Sequence, residues 1–231
     1  MQKNIPNIFT ALNIICGFLG ITQAFSSHEN GLLIACYLVG IAAIFDFIDG
    51  MSARLLGAYS DLGKQLDSLA DMVSFGLLPG IIMYKLMLVS SPSGSMLPYA
   101  ATVIPLFSAL RLAKFNLGAD QEDSFIGLPT PAHAILLASL PLAGYQHVDI
   151  SILVNPEVLA LLSGITSFLL VSRVPMFSLK MKSTLWSENK TQYLFIITSL
   201  IIISVFHFIG FTIVIILYIL TSLLKSIIKP S

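Results

Sequence analysis

Apolar stretches of about 17–25 residues recur along the whole chain, and each is long enough for an α-helix to cross a hydrocarbon core about 30 Å thick. Eight spans are expected, at about 5–26, 31–57, 62–89, 97–117, 130–147, 155–173, 191–206 and 208–227. Pro79 and Pro105 fall inside two of them and are expected to kink their helices, because each removes a backbone donor and crowds the preceding turn. The last two spans should form a hairpin that turns near His207–Gly210.

Composition agrees with this pattern. Of 231 residues, 56% are hydrophobic and only 10% charged, against roughly 45–50% and 25% in a soluble domain. The expected fold class is therefore an all-α, polytopic membrane bundle, forming one domain over residues 1–231. The first apolar segment has one early lysine but lacks a small-residue cleavage pattern, and other spans follow it, so it reads as a retained helix. Cys16 and Cys36 lie within apolar segments without metal-type spacing and read as packing residues. The formal net charge is zero, which gives no reason to expect nucleic acid as a partner.

The placement of charge says more than its sum. With the N-terminus inside, Lys3, Arg54, Lys64, Arg111, Lys114, Arg173, Lys180, Lys182, Lys190, Lys225 and Lys229 all fall on the cytoplasmic side, and only Lys85 falls opposite. An extra or missing span would invert everything downstream, so an even number of spans is expected in the cell membrane, with both termini inside. The longer polar connections, Leu117 to Gly127 and Ser178 to Asn189, lie on the same side.

Four aspartates interrupt the second and third spans: Asp46, Asp49, Asp67 and Asp71. Carboxylates within a membrane are costly and mark functional sites by default. Asp46, Asp49, Gly50 and Ala53 follow an i, i+3, i+4, i+7 pattern that places them on one helical face, and Gly63, Asp67 and Asp71 do the same on the next helix. The short turn near Gly57 to Asp61 should make the two helices antiparallel and adjacent, so that the acidic faces converge. Hard divalent cations with oxygen ligands are the natural compensation for four facing carboxylates, and a metal pair would suit a pyrophosphate substrate. Asp46 lies about 11 residues, or roughly 16 Å, from the cytoplasmic helix end, within reach of a polar cavity open to that side. Gly50 and Ala53 leave room there for a nucleotide or phosphate, and the planar fork of Arg54 suits phosphate oxygens. Each of these residues taken alone reads equally well as a solvated cap or a close-packing position.

The stretch DFIDGMSARLLGAYSDLGKQLDSLAD from Asp46 fits D-x-x-D-G-x-x-A-R-x8-G-x-x-x-D-x-x-x-D at every specified position. It resembles the signature of the CDP-alcohol phosphotransferases. The resemblance implies that Asp46, Asp49, Asp67 and Asp71 bind two divalent cations, Mg or Mn, and that Asp71 is also the general base. Gly50, Ala53, Arg54 and Gly63 would take the family's CDP-diacylglycerol-binding roles. DSLADMVSFGLLPG (67–80), RLAKFN (111–116), GLPTPAHA (127–134) and VSRVPMFSLK (171–180) look like the phosphatidylserine synthase branch, which implies L-serine as acceptor. PNIFTALNIICG (6–17) fits the same branch and adds Asn7 and Thr10 to the lipid-nucleotide site. Lys114 and His133 depart from that branch's pattern. The resembling family also commonly forms homodimers.

Arg111, Lys114 and Asn116 are the candidates for serine recognition, Arg111 for its carboxylate. Arg111, Lys114 and Arg173 also serve as topology-setting cations, and Asn116 and Thr130 as helix-end caps. His133 reads equally as a polar residue near a helix start, while His28, His147 and His207 fall near connections on the opposite side. Two other functions share the acidic pattern: a family member acting on a glycerol or inositol phosphate, and a cation transporter. The charge distribution makes a prediction about topology. Cysteines introduced at Ser60 and Ser93 should label from opposite faces of sealed vesicles, and labelling from one face would refute the span count around the acidic cluster.

Overall fold

The computed structural model describes residues 5–117, 125–146, 155–176 and 189–228. Lys3, Lys180, Lys182, Lys229, His147 and most of the two polar connections lie outside the described residues. The described chain is almost entirely helical: α1 (Ile5–Ala24), α2 (Gly31–Leu56), α3 (Asp61–Asp71), α4 (Leu78–Ser90), α5 (Val103–Leu117), α6 (Thr130–Tyr145), α7 (Pro156–Val171) and α8 (Lys190–Ile228). A two-residue antiparallel bridge, β1 (Phe125–Ile126) with β2 (Pro175–Met176), is the one departure from an all-helical chain among the described residues.

Each expected segment is helical, with ends within about two residues of the expected ones. Among the described residues, five stretches are long and apolar enough to cross a membrane: Ile5–Ala24, Gly31–Leu56, Asp61–Ser90, Leu97–Leu117 and Lys190–Leu224. Many of their large apolar side chains point outward, among them Ile8, Phe18, Ile44, Phe47 and Leu200, as lipid-facing surfaces require. The helix α6 differs: its 16 residues are buried on most sides, so its apolar run belongs to the centre of the bundle. In α8 the backbone breaks at His207 (φ 53°), where the hairpin was expected, and the side-chain oxygen of Gln146 accepts the Phe208 N–H at 3.0 Å.

The two prolines coincide with changes of helix type. Pro79 is the second residue of α4, just past a π-helical stretch, Met72–Leu77, that joins α3 to α4, and Pro105 follows a 3-10 turn, Leu97–Thr102, that leads into α5. A shift in hydrogen-bond register accommodates the donor that proline lacks. The π stretch begins immediately after Asp71.

The first helix organises the turn between α2 and α3 and the helix ends that flank it. Gly57 ends α2 in the left-handed region (φ 58°), a conformation without steric cost for glycine, and the Ala58 N–H returns to the Ala53 carbonyl at 2.9 Å. Ser60 then caps α3, its hydroxyl accepting the Gly63 N–H at 3.0 Å. This short turn reverses the chain as expected, yet α2 and α3 scarcely touch; α1 packs along α2 and also against α3. The expected side-by-side pair is thus a splayed pair joined through α1.

At the closest approach Ser74 Oγ donates to the Asn13 carbonyl at 2.8 Å, and a Cβ on Gly17 would lie 2.5 Å from Ser74 Oγ and 3.1 Å from Ser74 Cα. Gly17→Val should therefore force α1 off the π stretch and destabilise the detergent-solubilised protein by about 1–3 kcal/mol. Gly40→Ala, where nothing lies within 4 Å of the added methyl, should not lower the unfolding temperature. Equal effects of the two substitutions would remove this contact as the anchor.

Candidate metal and nucleotide site

Helical periodicity aims Asp46 and Asp49 from α2, and Asp67 and Asp71 from α3, into the wedge that α1 floors. Carboxylate oxygens of Asp46, Asp49 and Asp67 all lie within 4.8 Å of one another. The Asp46 carboxyl also lies within hydrogen-bonding reach of Asp67 and Asp71. All four expected acidic residues thus converge, although their helices do not pack side by side.

Two groups on α1 steady the cluster. Thr10 Oγ1 donates to Asp49 Oδ2 at 2.9 Å, and Asn13 Nδ2 donates to Asp71 Oδ1 at 3.4 Å. Asn13 is absent from the expected site. Its signal is legible afterwards: Asn7, Thr10 and Asn13 recur every third position of an otherwise apolar helix, a polar stripe on one face. Asp67 Oδ1 is buried and has no hydrogen-bond partner. An all-carboxylate set with an unmet buried acceptor is the donor chemistry of a hard divalent cation.

Above the acids a cavity of about 610 Å³ opens between α2 and α3. Asn7 and Thr10 line it from α1, Asp49, Gly50, Ala53 and Arg54 from α2, and Gly63, Lys64 and Asp67 from α3. Every residue expected at the lipid-nucleotide site therefore borders one space. Nothing lies within 4 Å of where a Gly50 Cβ would stand. The small size of Gly50 is not taken up by helix packing, so it leaves the cavity wall open to an approaching group.

The three acceptor candidates separate. Arg111 and Lys114 border a second, smaller cavity of about 60 Å³ with Ser172, next to Phe115, which borders both spaces. Asn116 instead ties α5 to α3: its Nδ2 donates to Ser68 Oγ at 3.0 Å and to Gln65 Oε1 at 3.3 Å, and its carbonyl accepts from Lys64 Nζ at 3.4 Å. Thr130 and His133 are buried in the first turn of α6.

The sequence profile described as CDP-alcohol phosphatidyltransferase matches residues 3–169, the stretch that builds the acidic cluster and its cavity. The chain belongs to the CDP-alcohol phosphatidyltransferase family. Within this family it is 35% identical over 170 residues to a Bacillus subtilis relative, covering 74% of this chain and 88% of that protein. It is 37% identical over 161 residues to one from Methanocaldococcus jannaschii, covering 70% and 69%. A Mycobacterium leprae relative is 36% identical over 179 residues, covering 74% of this chain but 57% of its own length. All three relatives carry the name CDP-diacylglycerol–serine O-phosphatidyltransferase.

Cation binding at the acidic cluster should register as stability, since a ligand bound only by the folded state stabilises by about 2.7 kcal/mol at a hundredfold excess over Kd. Titrating magnesium or manganese into chelator-treated protein should raise its unfolding temperature in a saturable way. Asp67→Asn should abolish that rise while leaving the chelated protein no less stable, because one of the facing negative charges is removed. A rise that persists in Asp46→Asn and in Asp67→Asn would place the cation elsewhere.

Proposed function

We propose that this family member is a phosphatidylserine synthase, transferring the phosphatidyl group of CDP-diacylglycerol to the hydroxyl of L-serine and releasing CMP. The observation that carries the reading is the convergence of the whole signature on one cavity, with carboxylates at its base and a second small cavity bordered by Arg111 and Lys114 beside it. The names of the relatives over the matched length support the acceptor.

In the proposed reaction the serine hydroxyl oxygen forms a bond to the lipid-side phosphorus, the phosphorus–oxygen bond to CMP breaks, and the hydroxyl proton passes to Asp71. Asp71 suits a proton acceptor because it is buried, and Asn13 holds one of its oxygens, fixing the carboxylate's orientation. Arg54, Gly50 and Ala53 on the cavity wall would receive the pyrophosphate and cytidine end. Asp46, Asp49, Asp67 and Asp71 would hold two divalent cations, magnesium or manganese. Bound there, the cations supply Lewis-acid charge that offsets the pyrophosphate and the departing CMP. Arg111 presents a guanidinium fork suited to the two oxygens of the serine carboxylate, and Lys114 adds positive charge at the same small cavity.

The protein is a multi-pass membrane protein by its helices and family. The reading adds eight spans, both termini and the reaction on the cytoplasmic side, following the lysine and arginine distribution, and a homodimer on family resemblance alone.

Purified protein incubated with CDP-diacylglycerol, a divalent cation and either serine or glycerol 3-phosphate should yield phosphatidylserine and CMP only with serine. Exclusive transfer to glycerol 3-phosphate would overturn the acceptor assignment. Arg111→Gln should raise the apparent KM for serine about tenfold or more, a loss of about 1.4 kcal/mol per decade, with little change for CDP-diacylglycerol. Equal weakening of both substrates would assign Arg111 to topology or folding instead.

A further inference from the structure

The small cavity beside the acidic cluster is bordered by two helix ends of opposite character. Arg111 and Lys114 on α5 bring positive charge to it, and Leu170, Val171 and Ser172 at the end of α7 border the same space. The helices α5 and α7 pack together. Val171 is the last residue of α7, and Ser172 follows it in an extended conformation. The last carbonyls of a helix have no partner within it and carry the negative end of its dipole. Arg173, the next residue, is exposed and is not among those that border the cavity. The function proposed above places the acceptor's carboxylate on Arg111 and leaves its ammonium without a partner.

Ser172 has hydrogen-bonding capacity of the matching kind. Its hydroxyl donates to the Leu169 carbonyl at 2.9 Å. A hydroxyl has one proton and two lone pairs, so with the proton committed Ser172 Oγ can only accept from a further partner. An ammonium is the complementary group, because it only donates. The segment after β1 holds this end of α7 in place: the Leu128 N–H donates to the Leu169 carbonyl and the Gly127 N–H to the Val174 carbonyl, each at 2.9 Å. Gly127 lies in the left-handed region (φ 76°), and a Cβ there would collide with the Leu170 carbonyl oxygen, so only glycine allows the approach. The stretches that begin at Gly127 and at Val171 thus meet at the helix end that carries Ser172.

We propose that Ser172 is a specificity-determining residue of this subsite, its Oγ accepting from the ammonium of an amino-acid acceptor whose carboxylate lies on Arg111, an assignment that rests on the function proposed above. A zwitterion then meets cations at one helix end and bare oxygens at the other, one for each of its charges. An alcohol that carries a phosphate in place of these two groups has no cation to offer the α7 end and brings further negative charge to it, which the helix dipole disfavours. At about 60 Å³ the cavity has room for about four to six water-sized groups, which suits the carboxylate, ammonium and α-carbon of a small amino acid.

Ser172→Ala removes the accepting oxygen and should raise the KM for serine about tenfold, with kcat and the KM for CDP-diacylglycerol little changed. Ser172→Thr keeps the hydroxyl and should stay within about threefold of the parent. An unchanged serine KM in Ser172→Ala, or an equal rise in the KM values of both substrates, would reduce Ser172 to a cap on α7 and overturn the proposal. Serine without its amino group, 3-hydroxypropionate, separates the two ends of the acceptor. As a competitor of serine it should inhibit the parent and Ser172→Ala alike and lose potency in Arg111→Gln; a loss of potency in Ser172→Ala as well would overturn the pairing of Ser172 with the ammonium. A structure of the parent protein with serine bound decides the contact whatever the variants do to folding. A serine nitrogen within about 3.2 Å of Ser172 Oγ supports the proposal, and a nitrogen placed elsewhere overturns it. A parent protein that makes no phosphatidylserine refutes the function itself, whereas one that makes it and is indifferent to Ser172→Ala refutes only this inference.

Discussion

Mutual repulsion among four carboxylates is the constraint on which the rest of this structure depends. Two aspartates from each of two helices are brought together inside an apolar bundle, where solvation is poor and like charges cannot be separated by water. Packing the helices side by side would leave no room for a compensating cation or for the cavity above the acids. The observed solution is to splay α2 and α3 and to let α1 bridge them, with Thr10 and Asn13 taking up one oxygen on each side of the cluster. The cavity is the space that this splay opens.

The neighbouring features follow from holding that wedge in place. The Gly57 and Ser60 caps reverse the chain within a few residues, so the two acidic faces start from a fixed separation. Gly17 lets α1 approach the π stretch closely enough for Ser74 to reach the Asn13 carbonyl, which in turn sets where the Asn13 amide meets Asp71. Asn116 ties the end of α5 to Ser68 and Gln65 on α3, bringing Arg111 and Lys114 beside the same space. The buried helix α6 then closes the back, with His133 and Thr166 joining it to α7. Several polar contacts between helices fall around the site, where they orient side chains; others, such as Ser139 Oγ to Thr212 Oγ1 at 2.6 Å, tie α6 to α8, and the rest of the bundle is held by apolar packing.

Much of this was legible in the sequence because lipid imposes strict rules on sequence. Helix lengths, the turn between α2 and α3, the break at His207 and the facing acidic stripes all follow from hydropathy, helical periodicity and the turn residues Gly57 and Ser60. The eight-residue signature was enough to identify the acidic cluster and the cavity-lining Gly50, Ala53, Arg54 and Gly63, because those residues lie on two consecutive helices and their spacing is a local property.

What the sequence could not determine is what comes together across long separations. The splay of α2 from α3 depends on α1 filling the wedge, and periodicity within each helix says nothing about a third helix. Asn13 was passed over because its partner, Asp71, is 58 residues away. Asn116 had the same residue type and placement as a ligand, yet packing commits its amide to Ser68 and Gln65. The role of α6 as a buried core helix, and the meeting of His133 with Thr166, exist only once helices distant in the chain are packed. Local spacing determined which polar residues share a helical face, and tertiary packing decided which of their atoms are already engaged and which are left to bind, because only packing assigns each buried donor or acceptor its partner.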